Sequence, residues 1–208
     1  MIENQEEIWD NIADEWDKYK KKVFEDLKVF LKGKRGNILD LGCGSGRNFL
    51  SMEKDAEIYG VDFSSEMLKF AEKRAKEIGL NVKLSKNSAE SLAFEKSFFD
   101  FAIYVAVLHC IPESSKRKKS LNELFRVLKN KGQALIVVWS MENEKLRKKG
   151  DPNKQDQIIS WKRKDGREYF RYYYIYKKEE LEKDLTDAGF KILKSKEDDN
   201  ILVWVEKP

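Results

Sequence analysis

The chain has 208 residues, 41% of them hydrophobic and 38% charged, which suits one sizeable domain with a real core and a densely charged surface. Lys and Arg number 41 against 37 Asp and Glu, so the net charge of +4 is mildly basic, compatible with a nucleic-acid partner without pointing to one. The opening residues MIENQEEIWD are acidic and polar, unlike a secretory leader, and no apolar run approaches the length of a bilayer span, so a cytoplasmic protein without membrane contact is expected.

Residues 4–31 predict a helix, because Trp9, Ile12, Ala13, Trp16, Val23, Phe24, Leu27, Phe30 and Leu31 recur at helical spacing among charges. Residues 1–35 then read either as helix packed on the domain or as a lid over a pocket, with Trp9, Trp16 and Tyr19 facing a ligand. Asn37-Ile38-Leu39-Asp40-Leu41 is a short aliphatic run of the kind buried in a parallel sheet. It breaks into a loop with Gly42, Gly44 and Gly46 at alternate positions, where the backbone can turn sharply and approach a ligand. Arg47 to Met52 predicts the start of a helix whose free N–H groups point back at that ligand.

Glu57 to Asp62 predicts a second strand, and Ser64 an N-cap for a helix over 65–78 that Gly79 terminates. A strand over 82–85, a loop over 87–94 and a strand from Phe99 to Leu108 follow. Pro112 opens a helix to about 129, and Gly132 precedes the strand Gln133 to Trp139. This alternation implies an α/β domain with a mostly parallel sheet and helices on both faces. Such sheets bind ligands at the carboxyl ends of their strands, an edge that here collects Asp40, Asp62, Ser88, His109 and Ser140.

Residues 141–170 interrupt the rhythm with a polar, basic insertion that includes Lys145, Arg147, Lys148, Lys149, Lys162, Arg163, Lys164 and Arg167. A loop so long is functional or solvated, and its charge suits a polyanion. Arg171-Tyr172-Tyr173-Tyr174-Ile175-Tyr176 could stack on bases or pack as a β-segment. A helix over 178–188 and a hairpin of Phe190–Ser195 with Asn200–Glu206 close a single domain. Cys43 and Cys110 have no metal-ligand spacing and read as reduced thiols, and no metal site is expected.

A nicotinamide fingerprint needs G-x-G-x-x-G, but the third glycine falls one place early, and Arg47 stands where glycine is needed. A phosphate-binding loop would need Gly-Lys-Ser/Thr, which is absent. Asp62 lies about 20 residues past the loop, the offset at which an acid meets a ribose. Leu39-Asp40-Leu41-Gly42-Cys43-Gly44-Ser45-Gly46 resembles the first motif of class I S-adenosylmethionine-dependent methyltransferases. Asp62, Ser88-Ala89-Glu90, Phe99-Asp100-Phe101 and Val127 to Gly132 extend that resemblance along most of the chain. It implies a Rossmann-like fold with a seven-stranded, mostly parallel sheet and a C-terminal hairpin. It also implies that Asp40, Gly42, Cys43, Gly44, Gly46, Asp62, Phe63, Ser88, Ala89, Glu90 and Val105 hold S-adenosylmethionine, with S-adenosylhomocysteine as product. Many relatives carry Asp where this chain has Ser88, so the hydroxyl of Ser88 would have to meet the adenine amine.

Ala102 to His109, Gly132 to Trp139, Arg171 to Tyr176 and Asp199 to Trp204 resemble a narrower group, the tRNA methyltransferases that esterify 5-carboxymethyluridine at the wobble position. That likeness implies tRNA as substrate and a small zinc-binding activator protein as partner. The family's Thr-Arg-Tyr-Lys-Pro-Trp run is replaced by Asp17-Lys18-Tyr19-Lys20-Lys21-Lys22. His109 and Arg171 are the candidates for orienting the acceptor carboxylate, with Tyr19, Lys20, Tyr172, Tyr173 and Asn200 as further substrate contacts. A small-molecule methyltransferase and a non-catalytic cofactor-binding subunit stand as alternatives.

Overall fold

The computed structural model describes residues 3–19, 22–143, 150, 151 and 153–208. Helix α1 spans Gln5–Tyr19 and α2 spans Glu25–Leu31. The single helix expected over 4–31 is therefore two, each burying its own apolar stripe. Five strands, β1 (Asn37–Leu41), β2 (Glu57–Asp62), β3 (Val82–Lys86), β4 (Phe99–Val105) and β5 (Leu128–Trp139), run parallel in the order β3-β2-β1-β4-β5. The sheet is completed to seven strands by the antiparallel pair β9 (Asn200–Glu206) and β8 (Lys191–Glu197), with β9 inserted beside β5. This is the seven-stranded, mostly parallel sheet with a C-terminal hairpin that the sequence implies.

Helices cover both faces because the strands are apolar on both sides. On one face α4 (Ser114–Val127) and α5 (Lys178–Asp187) bury Leu121, Leu124, Leu181 and Leu185 against β4, β5 and β9. On the other, α2 and α3 (Ser65–Glu77) bury Leu27, Leu31, Ala71 and Ala75 against β1 and β2. Ser64 caps α3 as expected, its hydroxyl accepting from the Met67 amide at 3.1 Å.

Three local expectations change. The chain after the glycine loop forms a five-residue 3-10 turn, Arg47–Ser51, too short to offer a helix N-terminus. Strand β4 ends at Val105, since Ala106 takes a left-handed conformation (φ 61°) and Leu108–Cys110 coils into a 3-10 turn. The basic insertion carries strand β6 (Asp156–Lys162), paired antiparallel with β7 (Glu168–Tyr174) in a separate hairpin. Lys145, Arg147, Lys148 and Lys149 lie outside the described residues.

Helix α1 sits between that hairpin and α3. Ile12, Ala13, Ile159 and Tyr173 share one buried cluster with Met67. Polar ties flank it: Arg163 pairs with Asp14 at 2.7 Å, Trp161 Nε1 donates to Glu15 at 3.1 Å, and Arg74 pairs with Asp17.

Candidate active site

The strand order reverses between β1 and β4, and at the carboxyl ends of those strands lies a cavity of about 710 Å³. The glycine loop forms its floor. The amides of Gly42 and Cys43 donate to Val61 O at 2.7 and 2.9 Å, pinning the loop to the end of β2. Gly42 has φ 72°, and a Cβ there would stand 2.2 Å from Val107 Cγ2, so only glycine fits. Gly44 faces open space, with nothing within 4 Å of where its Cβ would be.

Asp62 ends β2 and lines the cavity. Its carboxylate accepts from Gly44 N at 2.8 Å and Ser64 N at 2.9 Å, yet burial outweighs these bonds and lifts its carboxyl to about 6. Asp40 is fully buried one layer behind the lining, and both its oxygens accept from Asn48 Nδ2, at 3.3 and 3.2 Å. Burial lifts Asp40 to about 7 against the pull of Asn48 and Arg47. Asn48 Oδ1 and Arg47 Nε are buried with no hydrogen-bond partner among the described residues, and both residues line the cavity. A free amide oxygen, a free guanidinium N–H and a nearby acid fit the ammonium and carboxylate of an amino acid. Arg47 and Asn48 escaped sequence reasoning; their signal is two polar side chains directly after a glycine loop.

Gly42, Cys43, Gly44, Asp62, Phe63, Ser88, Ala89, Glu90 and Val105 all line the cavity, whereas Asp40 and Gly46 stand behind it. Gly46 instead makes room for Phe49, whose ring would lie 2.6 Å from an added Cβ.

The opposite side, where the acceptor is expected, is built differently. Trp9 and Trp16 of α1, with Val107, Cys110, Ile111 and Pro112, form that wall. Arg171 is buried behind it, its guanidinium 5.4 Å from the Trp16 ring and 5.8 Å from Trp9, with Trp161 at 5.1 Å and Tyr173 at 5.3 Å. It donates to Tyr173 Oη at 2.6 Å and to Ser160 O at 3.5 Å, and among the described residues its Nε has no partner and no carboxylate pairs with it.

His109 is buried outside the lining, stacked on Trp139. Its Nδ1 accepts from the Trp139 amide at 3.2 Å, which places the proton on Nε2, and burial lowers its pKa to about 3. The imidazole is therefore neutral, and with Nδ1 already taken by the Trp139 amide it has only its Nε2–H left to offer, as a donor. Tyr173 stacks on Trp139 at 4.6 Å, so that face of its ring is taken. Tyr172 leaves β7 on the face opposite Arg171 and Tyr173, with its hydroxyl on Asp156, so the expected base stacking by Tyr172 gives way to a packing role. Asn200 pairs with Trp139 in the β5–β9 ladder, away from the lining. Tyr19 is exposed beside Trp161, and Lys20 lies outside the described residues.

An open sheet in this order, with a buried acid ending β2 and a polar subsite around Arg47 and Asn48 at its switch point, is the architecture of a Rossmann-like methyltransferase domain. A family model described as a methyltransferase domain matches residues 38–132. A protein of Encephalitozoon cuniculi named as a methyltransferase is 30% identical over 174 residues, 82% of this chain and 78% of its own length. The tRNA (carboxymethyluridine(34)-5-O)-methyltransferase of Schizosaccharomyces pombe is 27% identical over 227 residues, covering 97% of this chain and 95% of that protein. The Arabidopsis thaliana protein of the same name is 36% identical over 107 residues, 51% of this chain but only 25% of the plant protein. Among solved structures, an S-adenosylmethionine-dependent methyltransferase of Methanosarcina mazei superposes with a TM-score of 0.73 at 26% identity, over 89% of this chain and 98% of that one. A Pyrococcus horikoshii protein shares the fold with a TM-score of 0.77 at 22% identity, over 96% and 95% of the two chains. The chain belongs to the class I S-adenosylmethionine-dependent methyltransferases, and it is an enzyme.

Proposed function

We propose that the enzyme methylates the carboxylate oxygen of 5-carboxymethyluridine at the wobble position of tRNA. The observation that carries this reading is Arg171, a buried guanidinium that pairs with no carboxylate among the described residues and lies directly behind the Trp16 ring of the cavity wall. An anionic acceptor supplies the missing charge. The fission yeast relative named for this reaction matches over nearly the whole length of both chains, which supports the same reading.

S-adenosylmethionine supplies an electrophilic methyl group. The chain's part is binding and alignment. Asp62 takes the ribose hydroxyls, Arg47 and Asn48 backed by Asp40 take the amino-acid end, and the loop from Ser88 to Glu90 takes the adenine. A simple carboxylate is already ionised at neutral pH, so the neutral His109 is no handicap: no general base is needed. Arg171 favours the anionic acceptor by its charge from behind the Trp9 and Trp16 wall, and the ring of His109, stacked on Trp139, packs the Trp139–Tyr173 pair beside it. Helix α1 acts as the lid, bringing Trp9 and Trp16 over the reacting groups and excluding water. A small zinc-binding activator protein is the proposed partner; higher solubility on co-expression with it, and joint purification, test that association.

The deciding experiment is methyl transfer from labelled cofactor into tRNA, followed by nucleoside analysis and mild base. Label in a base-labile ester on uridine is expected. Label found only in small metabolites overturns the assignment.

A further inference from the structure

From Trp9 and Trp16 on the cavity wall, aromatic rings continue outward. Trp9 meets Trp16 edge-on at 4.9 Å, Trp16 meets Trp161 of β6 at 5.5 Å, and Trp161 meets Tyr19 at 5.5 Å and 80°. The last ring stays 62% exposed despite these contacts. A tyrosine so open, at the end of a row whose other members are packed, contributes little to the core.

The charges around it are uneven. The acids nearby are engaged: Asp14 with Arg163, Glu15 with the Trp161 indole and the Lys164 amide, Asp17 with Arg74, and Asp165 with Arg163 and Arg167. Lys18, Lys162 and Lys164 are exposed and have no ion pair among the described residues. Lys18 precedes Tyr19 on α1, Lys162 follows Trp161 on β6, and Lys164 lies in the hairpin turn. An exposed aromatic ring with lysines around it that make no ion pair among the described residues, even with Glu168 opposite Lys162 across the hairpin and Asp14 within the field of Lys18, is the arrangement that holds a single-stranded nucleotide, the ring taking the base and the ammonium groups the phosphates.

We infer that Tyr19, seated on Trp161, is a stacking platform for a nucleotide adjacent to the one that enters the cavity. This rests on the RNA reading above and adds to it a second contact point, outside the pocket. A target base drawn toward Trp9 and Trp16 leaves its neighbour unstacked, and the row of rings leads from the pocket to Tyr19.

The test uses the full-length enzyme and an anticodon stem–loop carrying 5-carboxymethyluridine, alongside two versions in which the 5′ or the 3′ neighbour is abasic. Tyr19→Ala is expected to raise KM for the intact stem–loop about tenfold, with kcat and cofactor affinity held, and Tyr19→Phe to restore it. One of the abasic substrates should carry the same penalty with the unaltered enzyme, and Tyr19→Ala should add nothing further on that substrate. Equal KM values for Tyr19→Ala and the unaltered enzyme, or full additivity on both abasic substrates, overturn the platform while leaving the RNA reading intact. No transfer into the stem–loop by the unaltered enzyme overturns the RNA reading, and the platform with it.

Discussion

The two ends of the cavity are built by opposite means. At the cofactor end, backbone does most of the work: consecutive strand ends, Gly42 and Gly44, and amides that fix Asp62, all within residues 39–90. At the other end, where the acceptor is expected, Trp9 and Trp16 of α1 meet Val107, Cys110, Ile111 and Pro112, segments far apart in sequence, with the β6–β7 hairpin packed behind α1 to hold it there. The first end is a property of the sheet. The second depends on docking, so it can change its substrate while the sheet stays as it is.

Substitutions can separate the two. The largest effect is expected from Gly42→Ala, where a strained φ and the clash with Val107 should cost roughly 3 kcal/mol of stability, read as a clear fall in Tm. Asp62→Ala should then weaken cofactor binding about 100-fold by calorimetry with the fold retained; unchanged affinity would refute the ribose assignment. Arg171→Met should cut kcat/KM for the acceptor about 30-fold with cofactor affinity unaffected, so a matching loss at the cofactor would show that the ends are not separable. A smaller effect comes from pH. The raised pKa of Asp62, about 6, means that its ionised form is lost as pH falls, so cofactor affinity should drop roughly tenfold between pH 7 and pH 5. Its contribution to stability has the opposite sign: fully present below the unfolded value, it declines as pH rises through about 6. His109 should add no titration between pH 5 and 8. Least affected should be Asp14→Asn, which removes a partly exposed pair with Arg163 and should cost under about 1 kcal/mol in denaturant unfolding.

The contrast also explains what could be read in advance. The parallel core and the glycine loop were legible because each rests on local signals: apolar runs of strand length, an N-cap at Ser64, glycines at turns. The break between α1 and α2 carries no Gly or Pro, and Phe24 at the N-cap of α2 offers no side-chain cap, so helical spacing runs through it. Strand β6 hid among charges because only its alternate residues, Gln157 and Ile159, are fully buried. Of the proposed site, most cofactor residues fell on the lining, since a motif specifies them together. The acceptor residues were placed by sequence likeness, by a strand-end position for His109 and by aromatic composition for 171–176, none of which can tell which face of β7 a tyrosine leaves or whether a ring is already stacked. Trp161 was missed for the same reason: its value comes from α1 lying against it.

The two buried acids carry one more consequence. With Asp40 lifted to about 7, its carboxyl is half protonated at neutral pH before any ligand arrives. A positively charged ammonium and sulfonium brought near Asp40 and Asp62 favour their ionised forms, so taking up cofactor expels protons into the medium. The heat of binding should accordingly vary with the ionisation enthalpy of the buffer, and the slope of that dependence counts the protons released.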